Sequence, residues 1–471
     1  MPLDAQKQTV CIIGAGLTGL VSACSLLSSG YDVILLESAL KPGGMVSSFQ
    51  MGSGRIEYIY HHVFTHDDYL ISLLSALGLQ DQLKWYRPNE ALYAKRRLFP
   101  FSTPLDLLRF PLIPLTQRLR TGLSVLKAGR LSDFAPLEGE TAAQWLRRNG
   151  GPDAYEQIWH PLLRSKFDSD ADQVSAVWIW NKFKLRGHSR EKDAGSEKLG
   201  YLDGSFGRLI DALVSFVEEK GGRLLTGHTV MNICEAEESD KFYVSCILEN
   251  CRTVLIEADA VVATVSARQF ASLSTGLNWS DVFLKKLNQL RYKGDFCLIL
   301  RLKNSLSPYY WTTICDDLPF VLVVEHTNLV EPQTYGGHVV YLSRYLDLAD
   351  PMWTQPDGDI FRQFISGLKE LYPHFHPSDI IDWRLRRTPY AQPVIGCHYK
   401  DQMPPLNTPI PRVKLAGVAQ IYPEDRGMNY AVRLGLQAAE AIDRELAPAI
   451  QKANLQPSDW TLNAFLKGAQ R

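Results

Sequence analysis

The residues best suited to chemistry gather just after position 57. Tyr58, Tyr60, His61, His62, Phe64 and His66 follow closely in EYIYHHVFTH. Imidazole gains or loses a proton near neutral pH, so His61 or His62 is a candidate acid–base group. Neighbours in a strand point to opposite faces, and neither HExxH nor a cysteine-rich partner accompanies them. The pair therefore predicts proton handling and no metal site. GxSxG is absent, so no hydrolytic nucleophile is announced. A second cluster, Val323–Asn328 (VVEHTN), ends a predicted strand with Glu325, the best carboxylate for substrate contact or a proton relay. The third is WRLRRTPYAQP, in which Arg387 and Tyr390 suit an acidic substrate group. Trp178 and Trp180, two apart, predict one face of a strand.

The elements that must position these groups begin at the N-terminal end. Thr9–Ile13 (TVCII) reads as a buried strand running into Gly14, Gly16 and Gly19 of GAGLTG. A helix pattern follows from Leu17 to Ser29, then a second strand from Tyr31 to Leu36, ending at Glu37. This is the dinucleotide fingerprint in its proper context. Gly14 permits the tight turn, Gly16 lets backbone approach a pyrophosphate, and Gly19 allows close helix–strand packing. Free amides at the helix start face the phosphates, and Glu37 is spaced to accept hydrogen bonds from a ribose diol. Gly43 and Gly44, soon afterwards, let the chain pass close to the same cofactor.

From these segments the chain resembles the flavin amine oxidase, protoporphyrinogen oxidase and phytoene desaturase superfamily. The resemblance implies FAD, with Ser47 near the double glycine and Arg55 supplying a charge, because Met45 stands where many members carry Arg. It implies that Val230 contacts the adenine through its backbone. It also implies that VKLAG, ending at Gly417, and the segment from Gly427 and Met428 close the flavin site before a helix to about Leu446. Asn429-Tyr430 departs there from the usual pattern. His62-Val63-Phe64-Thr65 is more weakly similar to UDP-galactopyranose mutase, and either reading places His61 or His62 by the flavin.

The implied fold is α/β: a Rossmann-like FAD-binding domain in three parts with an interleaved α+β substrate domain. The cofactor domain would comprise residues 7–66, 205–265 and 405–446; the substrate domain would comprise 67–204 and 266–404. Phe242–Leu248 and Thr253–Ile256 read as a hairpin, and Gly187–Leu199 as an exposed loop. The 471 residues are 45% apolar and 21% charged, which excludes disorder and leaves ample length for a core. The eight cysteines lack CxxC spacing and read as small core side chains in a reducing compartment. A net charge of -1 predicts no nucleic-acid partner. Residues 95–130 depart from that balance, carrying eight basic residues against Asp106 alone, interleaved with leucine and phenylalanine. That segment suits an anionic substrate or a membrane surface. The expected location is cytoplasmic, with peripheral membrane contact left open. The leading expectation is hydride transfer from a small or lipidic metabolite to FAD. The alternatives are a non-redox flavoenzyme acting on a nucleotide sugar and a non-catalytic flavin-fold binding protein.

Overall fold

A computed structural model describes residues 7–131, 133–191 and 197–446. A five-stranded parallel sheet runs in the order Arg223–Leu225, Asp32–Leu36, Thr9–Ile13, Ala260–Ala263, Val413–Leu415. Its central strands are apolar almost throughout, as strands covered on both faces must be. The helix Leu17–Ser28 is buried along nearly its whole length because the helix Met428–Leu446 lies against it. Gly435 permits that approach: a Cβ there would meet Thr18 O at 2.6 Å. Ser22 Oγ donates to Gly435 O at 2.9 Å, fastening the two ends of the chain together.

The second large sheet has seven strands, ordered Ile380–Pro393, Tyr292–Leu302, His338–Asp347, Leu322–Glu325, Trp311–Ile314, Glu90–Ala94, Arg97–Pro100. Side-chain alternation gives its two faces different work. Phe296, Leu298 and Leu342 pack with Ile360, Phe364 and Leu368 of the helix Asp357–Leu371. The opposite face carries Cys297, Ile299 and Tyr341, which meet Met51 and Ile56 of the hairpin Ser48–Met51/Gly54–Glu57. Asp295 pairs with Tyr345, and Cys297 with Ser343, in the register of that face. The hairpin therefore delivers Tyr58–His62 directly to it. The three strands His228–Glu235, Phe242–Leu248 and Thr253–Ala258 form a separate antiparallel sheet.

Two local expectations are corrected. Trp178 and Trp180 lie in the helix Ala176–Glu191, not in a strand. Val177, Trp178, Ile179 and Trp180 are all buried, so no alternation survives to distinguish a strand from a fully enclosed helix. The same helix continues through Gly187 to Glu191, where an exposed loop is expected from polar composition. Residues 192–196 lie outside the described residues, and the strand Leu199–Leu202 follows.

Candidate functional site

The first half of the site is a pair of interlocked glycine turns. Gly14 has φ +100°, and a Cβ on Gly19 would approach Gly14 O to 1.9 Å. Gly16 bridges Gly43, Gly43 N donates to Ala15 O at 2.8 Å, and a Cβ on Gly44 would sit 3.1 Å from Gly16 Cα. No side chain caps the helix that starts after Gly16, which leaves its first amides for an anionic ligand. Glu37 closes the cradle by accepting from Ala15 N at 2.9 Å and Ala39 N at 2.8 Å. His228 N donates to Glu37 O at 2.9 Å, so Val230 lies two residues along the strand His228–Glu235 from that contact. Gly417 also needs its missing side chain, since a Cβ would meet Val265 O at 2.3 Å. Gly427 directly precedes the helix opened by buried Met428.

Ser47 and Arg55 line a cleft of about 460 Å³ beside the helix Gly207–Glu219. Arg55 is committed there: it ion-pairs with Asp211, and its Nε donates to Ser48 Oγ at 2.7 Å. Its charge is thus balanced locally by Asp211. The cation that reaches the double-glycine segment is Arg426, whose Nη1 lies 3.9 Å from Met45 Sδ.

Arg426 is the centre of the second half. Its Nε donates to Gln392 Oε1 at 2.8 Å, and its Nη2 to the Tyr345 hydroxyl. Neighbouring Asp425 receives Lys166, Lys182 at 3.0 Å and the Trp178 indole N–H at 3.2 Å. The two lysines hold the Asp425 carboxyl well below the usual range despite its burial, so it stays ionised. Burial lowers Lys166 to about 7, against the opposing pull of Asp425. Buried Asp295 accepts from Ser343 Oγ at 2.7 Å through Oδ1, while its Oδ2 has no hydrogen-bond partner. Burial raises Asp295 to about 6, with Ser343 and Arg426 opposing. Sequence reasoning missed this cluster. Two charged residues, Asp425-Arg426, just before the closing glycine were the available signal.

Asp295 carries a pH prediction. An unfolded aspartate titrates near about 3.9, so the folded carboxyl holds its proton more tightly. Its stabilising contribution is present below that value and fades as pH rises through about 6. Asp295→Asn, which does not titrate, is expected to unfold at a higher temperature than the parent at about pH 8 and to lose that advantage near about pH 4. Thermal unfolding followed by circular dichroism at both values checks it; a deficit at both would contradict the assignment.

The paired histidines lie between the strands Gly54–Glu57 and Val63–Phe64 and turn to different partners. His61 Nδ1 lies 2.7 Å from Ile59 O, and the carbonyl identifies Nδ1 as the protonated nitrogen. Nε2 is then the acceptor. Burial lowers His61 to about 4, with the carbonyl opposing and Arg426 adding to the shift. His61 is thus neutral at pH 7, with Nε2 free to accept a hydrogen bond but too weakly basic to hold a proton there. His62 turns to Tyr310, with Nδ1 3.2 Å from its hydroxyl, and packs against Phe64 and Trp311.

The remaining candidates are held by contacts of their own. Glu325 is buried and committed to a turn: it accepts from Ser305 Oγ at 2.6 Å, Leu306 N at 3.0 Å and Ser307 N at 2.9 Å, holding the chain before Tyr309. Its role is structural, and Glu325→Ala is expected to destabilise folding by about 2–4 kcal/mol through the amides left unpaired, with no change in bound flavin. Denaturant unfolding alongside the flavin-to-protein ratio reads both. Arg387 is on the wrong sheet face. It ion-pairs with Asp357, donates to Gln355 O at 2.6 Å and lies over Phe296. Tyr390, at φ 56°, packs edge-on against Tyr292, beside a register shift in the strand pair. The departure at Asn429 gains a reason, because its Oδ1 accepts from Leu70 N at 3.1 Å and ties the closing helix to Asp68–Ala76.

A match to the family described as flavin containing amine oxidoreductase spans residues 17–443, which takes in the Arg426 cluster and the cradle from Gly19 onward. The chain belongs to that family. It is an FAD-dependent oxidoreductase. The 15-cis-phytoene desaturase of Glycine max is 23% identical over 475 residues, covering 94% of this chain and 81% of that protein. Among solved structures, cyclohexylamine oxidase from Brevibacterium oxydans superposes with TM-score 0.67 at 17% identity, covering 94% of this chain and all of that one. Reduced UDP-galactopyranose mutase gives 0.71 at 16% identity, covering 98% and 99%. These two likenesses establish the fold. The glycine cradle fits the family's cofactor: Gly14, Gly16, Gly19, Gly43 and Gly44 would hold the pyrophosphate, and Glu37 the ribose. Bound FAD supplies a two-electron acceptor.

Proposed function

We propose that this chain oxidises a small or lipid-soluble metabolite, the substrate giving up a hydride to the flavin and a proton to a protein group. The observation that carries this reading is the charge balance beside the double-glycine segment. Arg426, Lys166 and Lys182 face the carboxylates Asp425 and Asp295, with neutral His61 and two tyrosines, Tyr60 and Tyr345, around them. A net positive, preorganised pocket favours the negative charge that accumulates on a cofactor receiving electrons. The unpartnered Asp295 Oδ2, on a carboxyl that burial raises to about 6, is the acceptor matched to the departing proton, and His61 Nε2 can accept a hydrogen bond from the substrate. The electrons then leave to oxygen or another acceptor.

The mutase-like alternative draws on the histidine segment, but it also calls for uncommitted cations to receive a pyrophosphate. Several basic residues of 95–130 are already engaged by other groups. Arg96 pairs with Glu370, Arg118 donates to Leu108 O and Ile113 O, and Arg120 donates to Arg148 O. Single-turnover mass analysis of substrate against product tests the choice. Oxidation predicts a product lighter by two hydrogen atoms for each flavin reduced; an isomer of unchanged mass would overturn it.

A further inference from the structure

The helix Leu115–Arg130 is built inside out. Its buried residues are Thr121, Ser124 and Ala128, whereas Leu115, Leu119, Leu123 and Leu126 are 51–64% exposed. At about 100° per residue the four leucines fall within an arc of about 80°, directly opposite the buried stripe. The preceding helix Pro104–Arg109 adds Leu105 and Leu108, also exposed. Half of the exposed large apolar side chains among the described residues therefore fall between positions 105 and 126. Arg118 clasps the two helices by donating to Leu108 O and Ile113 O. Exposed leucine so concentrated needs an apolar partner.

Charge decides which one. Arg109, Lys127 and Arg130 make no ion pair among the described residues. On the same helical projection Arg130 lies within the leucine arc, with Lys127 and Arg120 along one edge. A second copy of this chain docking symmetrically would bring the same leucine-and-cation face to the seam, where Asp106 is the single carboxylate of the segment. An anionic lipid surface meets both demands, taking leucine into the acyl boundary and the cations among its headgroups.

We infer that the exposed leucine–arginine face of residues 104–130 docks this protein, peripherally, on an anionic membrane. No helix among the described residues is long and apolar enough to cross one. The face is also wired to the site. Trp180 Nε1 donates to Ala128 O at 3.0 Å, and Trp178 and Lys182 of the same helix contact Asp425 next to Arg426. Docking there would set the catalytic layer against the membrane, where a lipid-soluble substrate of the kind proposed above resides. The docking itself does not depend on that substrate.

Flotation of the FAD-loaded full chain without substrate tests it. Vesicles of phosphatidylcholine alone are compared with vesicles containing about 30% phosphatidylglycerol, at low and high salt. Binding to the anionic vesicles that weakens with salt is expected. Both Leu119→Glu/Leu123→Glu and Lys127→Glu/Arg130→Glu are expected to reduce it roughly tenfold or more, with flavin content and unfolding temperature unchanged. Failure to bind anionic vesicles, or binding unaffected by both pairs, would overturn the inference. So would self-association that Leu119→Glu/Leu123→Glu abolishes while vesicles are ignored, which would assign the face to a second copy. Because no substrate is present, none of these results bears on the proposed oxidation.

Discussion

Arg426→Met is expected to keep FAD bound while slowing flavin reduction by substrate roughly 100- to 1,000-fold, the usual effect of removing one positioned charge from developing charge. Retention is expected because the cradle is built by Gly14–Gly19, Gly43–Gly44 and Glu37, none of which depends on Arg426. The loss is expected because Lys166 and Lys182 are already spent on Asp425, leaving Arg426 as the cation next to Met45. Arg426→Lys retains charge but not the fork that reaches both Gln392 and Tyr345, and should fall between parent and Met variant. A lowered flavin midpoint potential in the Met variant separates an electrostatic role from a structural one. Reduction at the parent rate and potential would mean the charge is not felt by the cofactor.

The second large effect belongs to Gly19→Val. Even a methyl group at this position would sit 1.9 Å from Gly14 O and 3.1 Å from Gly14 C, both backbone atoms of the turn. Neither can rotate aside, so the helix Leu17–Ser28 must lift from the strand that precedes it. The uncapped amides then lose their aim, and the protein is expected to purify colourless, with an unfolding temperature that added FAD no longer raises. Flavin content and thermal unfolding with and without FAD read the two consequences. A yellow Gly19→Val protein with the parent's flavin ratio would contradict the assigned cradle.

What was legible in the sequence follows from how local each constraint is. The Gly14, Gly16, Gly19 and Glu37 spacing is set by one strand–turn–helix–strand unit, so a single sequence exposes it. The Arg426 cluster unites residues 45, 166, 182, 295, 345, 392 and 426, and no local pattern links them. Met45 was the visible half of the clue. The arginine missing from that position in the resemblance is answered by Arg426, from 381 positions later in the chain. Glu325 misled because a carboxylate at a strand end looks the same whether it faces a cavity or holds a turn. Residues 95–130 announced their charge, but only burial revealed that Leu115–Arg130 turns leucine outward and threonine, serine and alanine inward.

The most direct test of the account is anaerobic titration of the purified yellow protein with amines, terpenoid polyenes, porphyrinogens and nucleotide sugars, following the flavin absorption band. One of the oxidisable classes is expected to bleach the band stoichiometrically with no added reductant. Arg426→Met is expected to slow the bleaching. Turnover of a nucleotide sugar that requires prior chemical reduction, and leaves the flavin reduced at the end, would contradict it.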